Sequence, residues 1–381
     1  MDFTYPPEAE AFRTEFRTWL EAHLTDEFRG DADGPLMMSG ANLAALRRWN
    51  GMLADARYAA ISWPREFGGR GAGIMEQVVF AEEMQRAGAP GTLNPIGLAN
   101  IAPAIIEFGT DAQRRTHLSR MLRGDDVWCQ GFSEPDAGSD LASLSCRAEL
   151  VDDHFVVNGQ KTWNTYGHLA NWCELLVRTD PDRPKHRGIS CLLVDLTLPG
   201  VEVRPLVTIT GDHEFNEIFF TDVRVPATSL LGPLHDGWRV AMTTLAYERG
   251  GVAGLHLGLR AKIQRLIDDA TGIDATRDPV NRQALAALYL EGELLKLIAD
   301  RAISGALHGR ALGPEGSIAK LVWSEAEQYL GEVAGEVLGP DANAGSWGRT
   351  RVYMRALTIA GGTTQVNKNI IAQRILGLPR Q

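Results

Sequence analysis

The segment that decides the fold occupies residues 131–140 and has the sequence GFSEPDAGSD; a second segment, NGQKTWNT, follows at residues 158–165. The first is rich in Gly, Ser and Asp and contains a proline, a composition that favours turns with exposed backbone N–H groups and small hydroxyls. The second ends in an aromatic residue, Trp163, flanked by short polar side chains. The pair predicts loops that are suited to a polar ligand.

The sequence on either side of these segments changes character twice. Residues 8–125 and 237–376 place apolar side chains at helical spacing, whereas residues 127–225 contain short β-rich runs separated by turns. Within the β block, Asn158-Gly159 predicts a hairpin turn. The order helical, β, helical predicts an α+β protein.

Apolar spacing and turn residues also place the individual elements. The main helices are expected at 8–24, 41–58, 75–86, 101–108, 111–122, 238–259, 282–308, 317–337 and 349–376. The strands are expected at 155–157, 175–177, 189–194, 201–203 and 217–220. No internal repeat or low-complexity tract interrupts this order.

The composition indicates an ordinary globular protein and argues against several other classes. With 381 residues the chain is long enough for two or three domains, and its net charge of −10 argues against nucleic acid as a main partner. It has no apolar run long enough for a transmembrane helix and no signal-peptide pattern, so we expect a cytoplasmic protein. The four cysteines are widely spaced, which favours reduced core thiols, and no metal motif is present.

A serine-hydrolase interpretation of the first segment fails on two counts. Gly131-x-Ser133 begins like the G-x-S-x-G turn of the α/β-hydrolases, but residue 135 is a proline. The apolar strand and long helix that must flank such a turn are also missing. For Ser133 alone, turn capping is the simpler interpretation, whereas the joint two-part pattern favours a cofactor site.

The two segments resemble the flavin-binding loops of the acyl-CoA dehydrogenases, and the rest of the chain matches that family too. A Trp-Pro…Gly-Gly connector at residues 63–69, between two predicted helices, also recurs there. The resemblance implies the fold of the family. We therefore expect an N-terminal helical domain at 1–126, a middle β-barrel-like domain at 127–235 and a C-terminal four-helix bundle at 236–381.

The resemblance also implies FAD as the cofactor. In the family, the positions that match Ser133 and Thr165 bond the flavin ring, and Trp163 packs beside it. Together with the family's other contact positions, the expected FAD-binding residues are Phe132, Ser133, Trp163, Thr165, Thr363 and Thr364.

Oxidation of an acyl thioester between its α and β carbons needs a base for the α proton, and we expect that base at Glu248. A carboxylate does this best when desolvated, because burial raises its pKa. Many family members carry the base before Gly-Thr-Ser near the C-terminus, where this chain has Gly-Gly-Thr-Thr at 361–364. The isovaleryl- and long-chain-type branch carries Glu-Arg in a helix, as at 248–249. A Glu248–arginine ion pair in the bundle is the alternative.

Three further residues are expected to contact the substrate. The backbone N–H that matches Gly361 holds the thioester carbonyl in the family and so acidifies the α proton. Ser139 matches a serine that touches the thioester ligand, and Arg249 follows the expected base. Whether the thioester is carried by CoA or by a carrier protein, and how long its acyl chain is, stay open at this point.

The sequence departs from the family at one motif. Most homo-oligomeric members have Arg-x-x-Phe-Gly about eleven residues before a Gln, and that Arg reaches the FAD pyrophosphate across the dimer. Counting back from Gln283 gives Gly272 instead. In this respect the chain resembles actinobacterial acyl-CoA dehydrogenases built from unlike subunits, many of which act on sterol side chains. A homotetramer in which Arg277 or Arg282 takes over that contact is the alternative to an α2β2 assembly.

The resemblance thus implies an FAD-dependent acyl-CoA dehydrogenase that forms a 2,3-enoyl thioester and passes electrons to an electron-transferring flavoprotein. Two alternatives remain open. One is another flavoenzyme on the same fold, a monooxygenase or a nitroalkane oxidase, which reaction of the reduced enzyme with O2 would favour. The other is a partner subunit that completes the FAD site of a catalytic paralogue, against which the presence of Glu248 argues.

Overall fold

The computed structural model describes residues 4–30, 38–250, 254–310 and 313–379; at residues 248–250 it describes the backbone alone. The chain forms two compact units, each made of separate stretches. The sheet unit comprises Leu36–Ala72 and Pro90–Glu248. The helical unit comprises Met1–Pro35, Gly73–Ala89 and Arg249–Gln381. The domain boundaries predicted from the sequence stay a prediction.

The helices follow the apolar periodicity of the sequence. They are α1 (Pro7–His23), α2 (Leu43–Asp55), α3 (Ile74–Ala87), α4 (Ala102–Phe108), α5 (Asp111–Arg123), α6 (Gly237–Gly250), α7 (Leu255–Gly272), α8 (Pro279–Leu307), α9 (Gly316–Leu338), α10 (Gly345–Leu357) and α11 (Thr364–Ile370). In α1, for example, Ala9, Phe12, Phe16 and Leu20 form one buried stripe. Among the described residues, no helix combines the length and apolarity needed to cross a membrane.

One of the predicted helices is broken in the structure, and another falls partly outside the described residues. The span predicted at 238–259 contains most of α6 and the start of α7, and residues 251–253 between them are not described. The span predicted at 349–376 is interrupted between α10 and α11. Gly361 and Gly362 there adopt φ angles of 63° and 91°, which a continuing right-handed helix does not allow.

The strands of the described part form one sheet. They are β1 (Trp128–Gly131), β2 (Arg147–Val151), β3 (His154–Lys161), β4 (Trp172–Arg178), β5 (Ile189–Asp195), β6 (Val201–Leu206), β7 (Phe215–Pro226) and β8 (Leu230–Leu231). The order is β6-β7-β3-β2-β4-β5-β8, with β1 also paired to β4. The β1–β4 and β2–β4 pairs are parallel and the others antiparallel. The four cysteines are buried free thiols, three of which lie on these strands.

The hairpin turn predicted at Asn158-Gly159 is wrong. Both residues lie inside β3, where the pairing with β7 shifts register at a bulge. A side chain at Gly159 would come within 2.7 Å of the Cys146 backbone, so the glycine serves a close approach within the sheet. The hairpin turn lies earlier, between β2 and β3, where Asp152 takes a φ of 54°.

Candidate active site

The two segments quoted from the sequence are hydrogen-bonded to each other in the sheet unit. The Thr162 N–H donates to the Ser133 carbonyl at 2.9 Å. Lys161 Nζ donates to the Phe132 carbonyl at 3.0 Å and to Glu134 Oε1 at 2.8 Å. These contacts join the loop after β1 to the end of β3, which places Ser133 and Trp163 on adjoining stretches of chain.

The Lys161–Glu134 pair is buried and supported by further donors. The exposed fraction of Lys161 is 0% and that of Glu134 is 6%. Glu134 Oε2 accepts from the Ser145 N–H at 2.7 Å and from its hydroxyl at 2.8 Å, and Oε1 accepts from the Cys146 N–H at 2.9 Å. Burial acts to raise the pKa of Glu134, but the Lys161 charge and these hydrogen bonds outweigh it and lower the pKa. The carboxyl is therefore ionised at neutral pH.

The Trp163 side chain is exposed to solvent and not packed in the core. Its exposed fraction is 61%, and its φ of 62° lies in the left-handed region that an aromatic residue rarely adopts. The next residue, Asn164, holds the loop in place: its N–H donates to the Asn216 carbonyl at 3.0 Å and its Nδ2 to the Gln130 carbonyl at 2.7 Å. Phe215 meets the Trp163 ring edge to face, 5.8 Å between centroids. The exposed indole ring is thus carried by a loop whose position is fixed by hydrogen bonds.

The other predicted residues of the sheet unit differ in exposure. Phe132 is buried, Ser133 and Thr165 are half-buried, and Ser139 is exposed. Two buried polar atoms of this unit, Gln130 Nε2 and Asn164 Oδ1, have no hydrogen-bond partner. The exposed ring of Trp163 and the half-buried hydroxyls of Ser133 and Thr165 fit a flat ligand with polar edges, such as a flavin.

In the helical unit, the predicted residues lie at the break between α10 and α11. Gly361 is in the turn, Thr363 is the N-cap of α11, and Thr364 is the first helical residue. Thr363 Oγ1 accepts from the Val366 N–H at 3.1 Å, and the Thr364 N–H donates to the Thr358 carbonyl at 3.0 Å. The turn is therefore fixed at both ends by backbone hydrogen bonds.

A buried lysine braces this turn. Lys320, on α9, has an exposed fraction of 6%, and its Nζ donates to the Leu357 carbonyl at 2.9 Å and to the Gly362 carbonyl at 2.7 Å. Asn367 Nδ2 also donates to the Gly362 carbonyl, at 2.8 Å. With both donors on the Gly362 carbonyl, the Gly362–Thr363 peptide of this turn has a fixed orientation.

The expected base, Glu248, lies on α6. The structure describes its backbone, while the side chains of Glu248 and Arg249 are outside the described part. The body of α6 is well defined: Val240, Ala241 and Thr244 are fully buried. Thr244 Oγ1 lies 2.8 Å from Glu174 Oε1 on β4. The helix that contains Glu248 is thus tied to the sheet one turn before that residue.

The arginines considered for the pyrophosphate contact are already engaged at the start of α8. Arg277 is largely exposed and pairs with Asp274, 3.0 Å from Nε to Oδ1. Arg282 Nη1 donates to the carbonyls of Thr276 and Arg277 at 3.0 and 2.9 Å.

Within the described residues, no group of three or more His, Cys, Asp or Glu side chains is arranged to hold a metal ion.

Sequence reasoning missed the residues that hold these loops. Lys161 and Glu134 stand inside the two quoted segments, but nothing in their spacing shows that they pair. Lys320 sits in an ordinary helical pattern, and only a lysine at an otherwise apolar, buried position of α9 would have singled it out. Glu174 gives the same kind of signal, an acid inside an otherwise apolar strand.

Comparison with protein families covers nearly all of the chain. Residues 6–125 match the N-terminal domain of the acyl-CoA dehydrogenases, residues 129–223 the middle domain and residues 235–376 the C-terminal domain. The sequence is 40% identical to the acyl-CoA dehydrogenase IpdE1 of Mycobacterium tuberculosis, covering 98% of this chain and 99% of that protein.

Solved structures give the same result for the fold. The ChsE4–ChsE5 complex from Mycobacterium tuberculosis matches with a TM-score of 0.86 at 30% identity, covering 100% of both chains. The Tcur3481–Tcur3483 steroid ACAD matches with a TM-score of 0.88 at 28% identity, also over 100% of both chains. Both of these neighbours are complexes of two differently named proteins.

These matches confirm the predicted fold, with an N-terminal helical domain, a middle sheet domain and a C-terminal helical domain. They also imply a flavin cofactor, which agrees with the exposed Trp163 side chain. The chain therefore belongs to the acyl-CoA dehydrogenase family, oxidoreductases that act on the CH–CH group of acyl-CoA.

Proposed function

We propose that this protein is an FAD-dependent acyl-CoA dehydrogenase that converts an acyl thioester to its 2,3-enoyl thioester. The observation that supports this most directly is the pair of loops in the sheet unit. The Lys161–Glu134 pair and the Thr162–Ser133 hydrogen bond join them, and Trp163 stands exposed at their junction. This is the arrangement that the family resemblance requires of a flavin-ring site.

The residues of the sheet unit would bind and orient the cofactor. Ser133 and Thr165, both half-buried, offer hydroxyls to the polar edge of the ring, and Trp163 offers its face. Phe132, which is buried, is proposed to contact the cofactor as well. Bound there, FAD supplies the acceptor for the hydride that leaves the β carbon.

Glu248 is proposed as the base that removes the α proton of the thioester. From the turn at residues 358–363, the Gly361 N–H is proposed to donate to the thioester carbonyl. Thr363 and Thr364 are proposed to contact FAD, while Ser139 and Arg249 are proposed to contact the substrate. The bracing of this turn by Lys320 fits such a role, because an N–H donor stabilises a developing negative charge best when it does not have to reorient.

Flavin content and turnover test this proposal together. The enzyme is purified, its flavin released and identified, and an acyl-CoA panel assayed with a dye acceptor: butyryl-, octanoyl-, isovaleryl- and cholyl-CoA. We expect FAD and dye reduction with at least one member. Active protein without FAD, or FAD-loaded protein that rapidly reduces O2 with its substrate, would contradict it, the latter favouring the monooxygenase or oxidase alternative.

Glu248→Gln tests the assignment of the base. The variant keeps the shape of the side chain but cannot accept a proton, so turnover should fall by about 10²- to 10⁴-fold with FAD content unchanged. Glu149→Gln is the matched control, because Glu149 lies exposed on β2, with 73% of its side chain accessible. Near-normal turnover by the Glu248 variant would show that another carboxylate is the base.

We further propose that the chain works with a second, unlike acyl-CoA dehydrogenase subunit, in an α2β2 assembly. The Arg-x-x-Phe-Gly motif is missing, and Arg277 and Arg282 are engaged elsewhere. An unpaired pyrophosphate in a partly buried site is costly, so an arginine from an unlike subunit would complete it. Two solved neighbours are complexes of differently named proteins, which supports this assembly.

The assembly is tested by purifying the chain alone and measuring its mass and FAD content. Weak FAD binding that is restored by a co-expressed paralogue supports the heteromer. A homotetramer with one FAD per chain and full activity would refute it and assign the pyrophosphate contact to this chain's own residues. Activity that resides wholly in the paralogue would instead make this chain a half-site partner.

The substrate class is proposed from the same neighbours. One solved structure of 28% identity is a steroid ACAD, so we propose a bulky, steroid-derived acyl-CoA. Cholyl-CoA should then give the highest kcat/KM in the panel, and a preference for octanoyl-CoA would refute this. The proposed electron acceptor is an electron-transferring flavoprotein, and a cytoplasmic location stays a prediction.

A further inference from the structure

A buried acid on β4 contacts the helix that contains the proposed base. Glu174 has an exposed fraction of 0%, on a strand whose five central residues are all buried. Its Oε1 lies 2.8 Å from Thr244 Oγ1 on α6 and 3.9 Å from Cys191 Sγ on β5. The alternating residues Cys173 and Leu175 belong to the core of the sheet, so Glu174 stands on the opposite face, toward α6.

Among the described residues, the groups that contact Glu174 carry no charge that would stabilise a carboxylate. The Cys191 thiol from β5 lies on the same face of the sheet as Glu174, whereas Cys173, its neighbour on β4, lies on the opposite face. From β1 the register partner of Glu174 is Gln130, and from α6 Glu174 meets the Thr244 hydroxyl. Burial, only partly offset by the hydrogen bonds of Thr244 and Cys191, raises the pKa of Glu174 to about 8.

An uncharged Glu174 has one hydrogen to donate, and Thr244 can relay it. The Thr244 hydroxyl lies 3.3 Å from the Val240 carbonyl, one turn back in α6, as well as 2.8 Å from Glu174. A protonated Glu174 can therefore donate to Thr244, which donates to Val240. This links the carboxyl to the backbone of α6 through two hydrogen bonds in a site shielded from water.

Thr244 lies one helical turn before Glu248. We propose that Glu174 is a positioning residue: in its uncharged form it fixes α6 against β4 through Thr244, and with it the turn of helix that contains Glu248. This rests on the proposed function, in which Glu248 is the base. When Glu174 ionises it can only accept from Thr244, so the Thr244 hydroxyl gives its one hydrogen to the carboxylate and its bond to the Val240 carbonyl on the α6 backbone is lost.

The test compares pH profiles of kcat for the FAD-loaded enzyme with the best acyl-CoA of the panel. Wild-type kcat should fall by up to roughly tenfold per pH unit above pH 8, as the uncharged form is depleted. Glu174→Gln stays uncharged and keeps an amide that can bond Thr244. It should match wild type at pH 7 within about threefold and lose the alkaline fall near pH 8. Identical alkaline profiles for the two proteins would overturn the proposal.

Thr244→Val removes the hydroxyl and keeps the shape. It should lower kcat by roughly tenfold or more at pH 7, since small misplacements of reacting groups have large effects. KM and FAD content should stay within about twofold of wild type, and the Glu174→Leu/Thr244→Val double variant should add little, because both changes remove one contact. Thr18→Val is the control: it removes a helical hydroxyl from α1, which bonds the Thr14 carbonyl at 2.9 Å. A normal kcat for Thr244→Val would overturn the proposal.

Two measurements separate this inference from the proposed function. Glu248→Gln is assayed in parallel: normal turnover there removes the base assignment, whatever the Glu174 profile shows. The thermal midpoint of each variant is recorded across pH 5–9 without substrate. Should the Thr244 variant fail to fold, the Glu174→Gln profile still decides the question.

Discussion

In each of the two compact units, a buried lysine holds a loop that is proposed to bind cofactor or substrate, but the two lysines do so in different ways. In the sheet unit, Lys161 pairs with a carboxylate, Glu134, which itself binds backbone N–H groups. In the helical unit, Lys320 donates to the backbone carbonyls of Leu357 and Gly362. The first brace is an ion pair between two side chains, whereas the second places a charge on peptide dipoles.

The difference predicts how each loop responds when its lysine is lost. Removing Lys161 leaves the Glu134 charge in a buried site, where an uncompensated carboxylate is strongly unfavourable. Removing Lys320 leaves two carbonyls, which are neutral and can be bonded by water or other donors. The sheet-unit brace should therefore be the more sensitive of the two.

The largest effect is expected for Lys161→Met. Loss of one partner of a buried pair destabilises a protein by about 3–5 kcal/mol, so the urea midpoint, followed by tryptophan fluorescence, should fall sharply. FAD content should fall with it, because Ser133 and Trp163 flank this pair. The control is Lys185→Met, whose pair with Asp140 is exposed, so its loss should shift the urea midpoint far less. Equal effects of the two variants would contradict a special role for the buried pair.

Glu174 extends the comparison to a buried acid that has no counter-charge among the described residues. Replacing Glu174 should stabilise the protein, whereas replacing Lys161 should destabilise it. The folded pKa of Glu174, about 8, is above its ordinary value of 4.5, so its favourable contribution is fully present below pH 4.5 and is lost as the pH rises to 8. Glu174→Gln avoids that loss. At pH 7 it should be more stable than wild type by up to about 3 kcal/mol, from roughly 2.5 pH units at 1.36 kcal/mol each.

The measurement is the thermal midpoint of both proteins between pH 4.5 and 9. The advantage of the variant should vanish near pH 4.5, grow through neutrality and level off above pH 8. A constant difference across this range would mean that Glu174 does not change its ionisation on folding.

These braces also mark the limit of what the sequence could predict. The order of helices and strands follows from apolar periodicity, which is a local property. Composition predicts that residues 131–140 and 158–165 form loops suited to a polar ligand, and the family resemblance implies that this ligand is a flavin. The Lys161–Glu134 contact joins residues 27 positions apart, and the Lys320–Gly362 contact joins residues 42 positions apart. Such pairs depend on tertiary packing, which a single sequence does not reveal.

The two errors of placement have local causes. Asn158-Gly159 has the composition of a hairpin turn, yet the glycine is needed because Cys146 on the neighbouring stretch leaves no room for a side chain. The break between α10 and α11 was missed because apolar spacing continues through it, while the positive φ angles of Gly361 and Gly362 end the helix. In both cases a glycine serves the packing around it.

A smaller effect than that of Lys161 is expected for Lys320→Met. One hydrogen bond from a charged donor contributes about 1.5–3 kcal/mol, and Asn367 still holds the Gly362 carbonyl. Stability should fall by about that amount, and KM for the acyl-CoA should rise as the turn that contains Gly361 loosens. Lys368→Met, which breaks an exposed contact with Glu325, is the control. A loss of stability as large as that of Lys161→Met would show that the ion pair of Lys161 is no more important to stability than the backbone contacts of Lys320.

The smallest effect is expected for Thr363→Ala, and it decides whether this residue only caps α11 or also binds FAD. Thr363 Oγ1 accepts from the Val366 N–H, but its own hydrogen stays available to donate to a phosphate or ribityl oxygen. Loss of an N-cap destabilises by about 1 kcal/mol. Thr110→Ala is the matched control, because Thr110 caps α5 by accepting from Gln113 N–H at 3.2 Å. Both variants should lose similar stability, while only Thr363→Ala should lower FAD affinity. Equal FAD affinity in the two would reduce Thr363 to a helix cap.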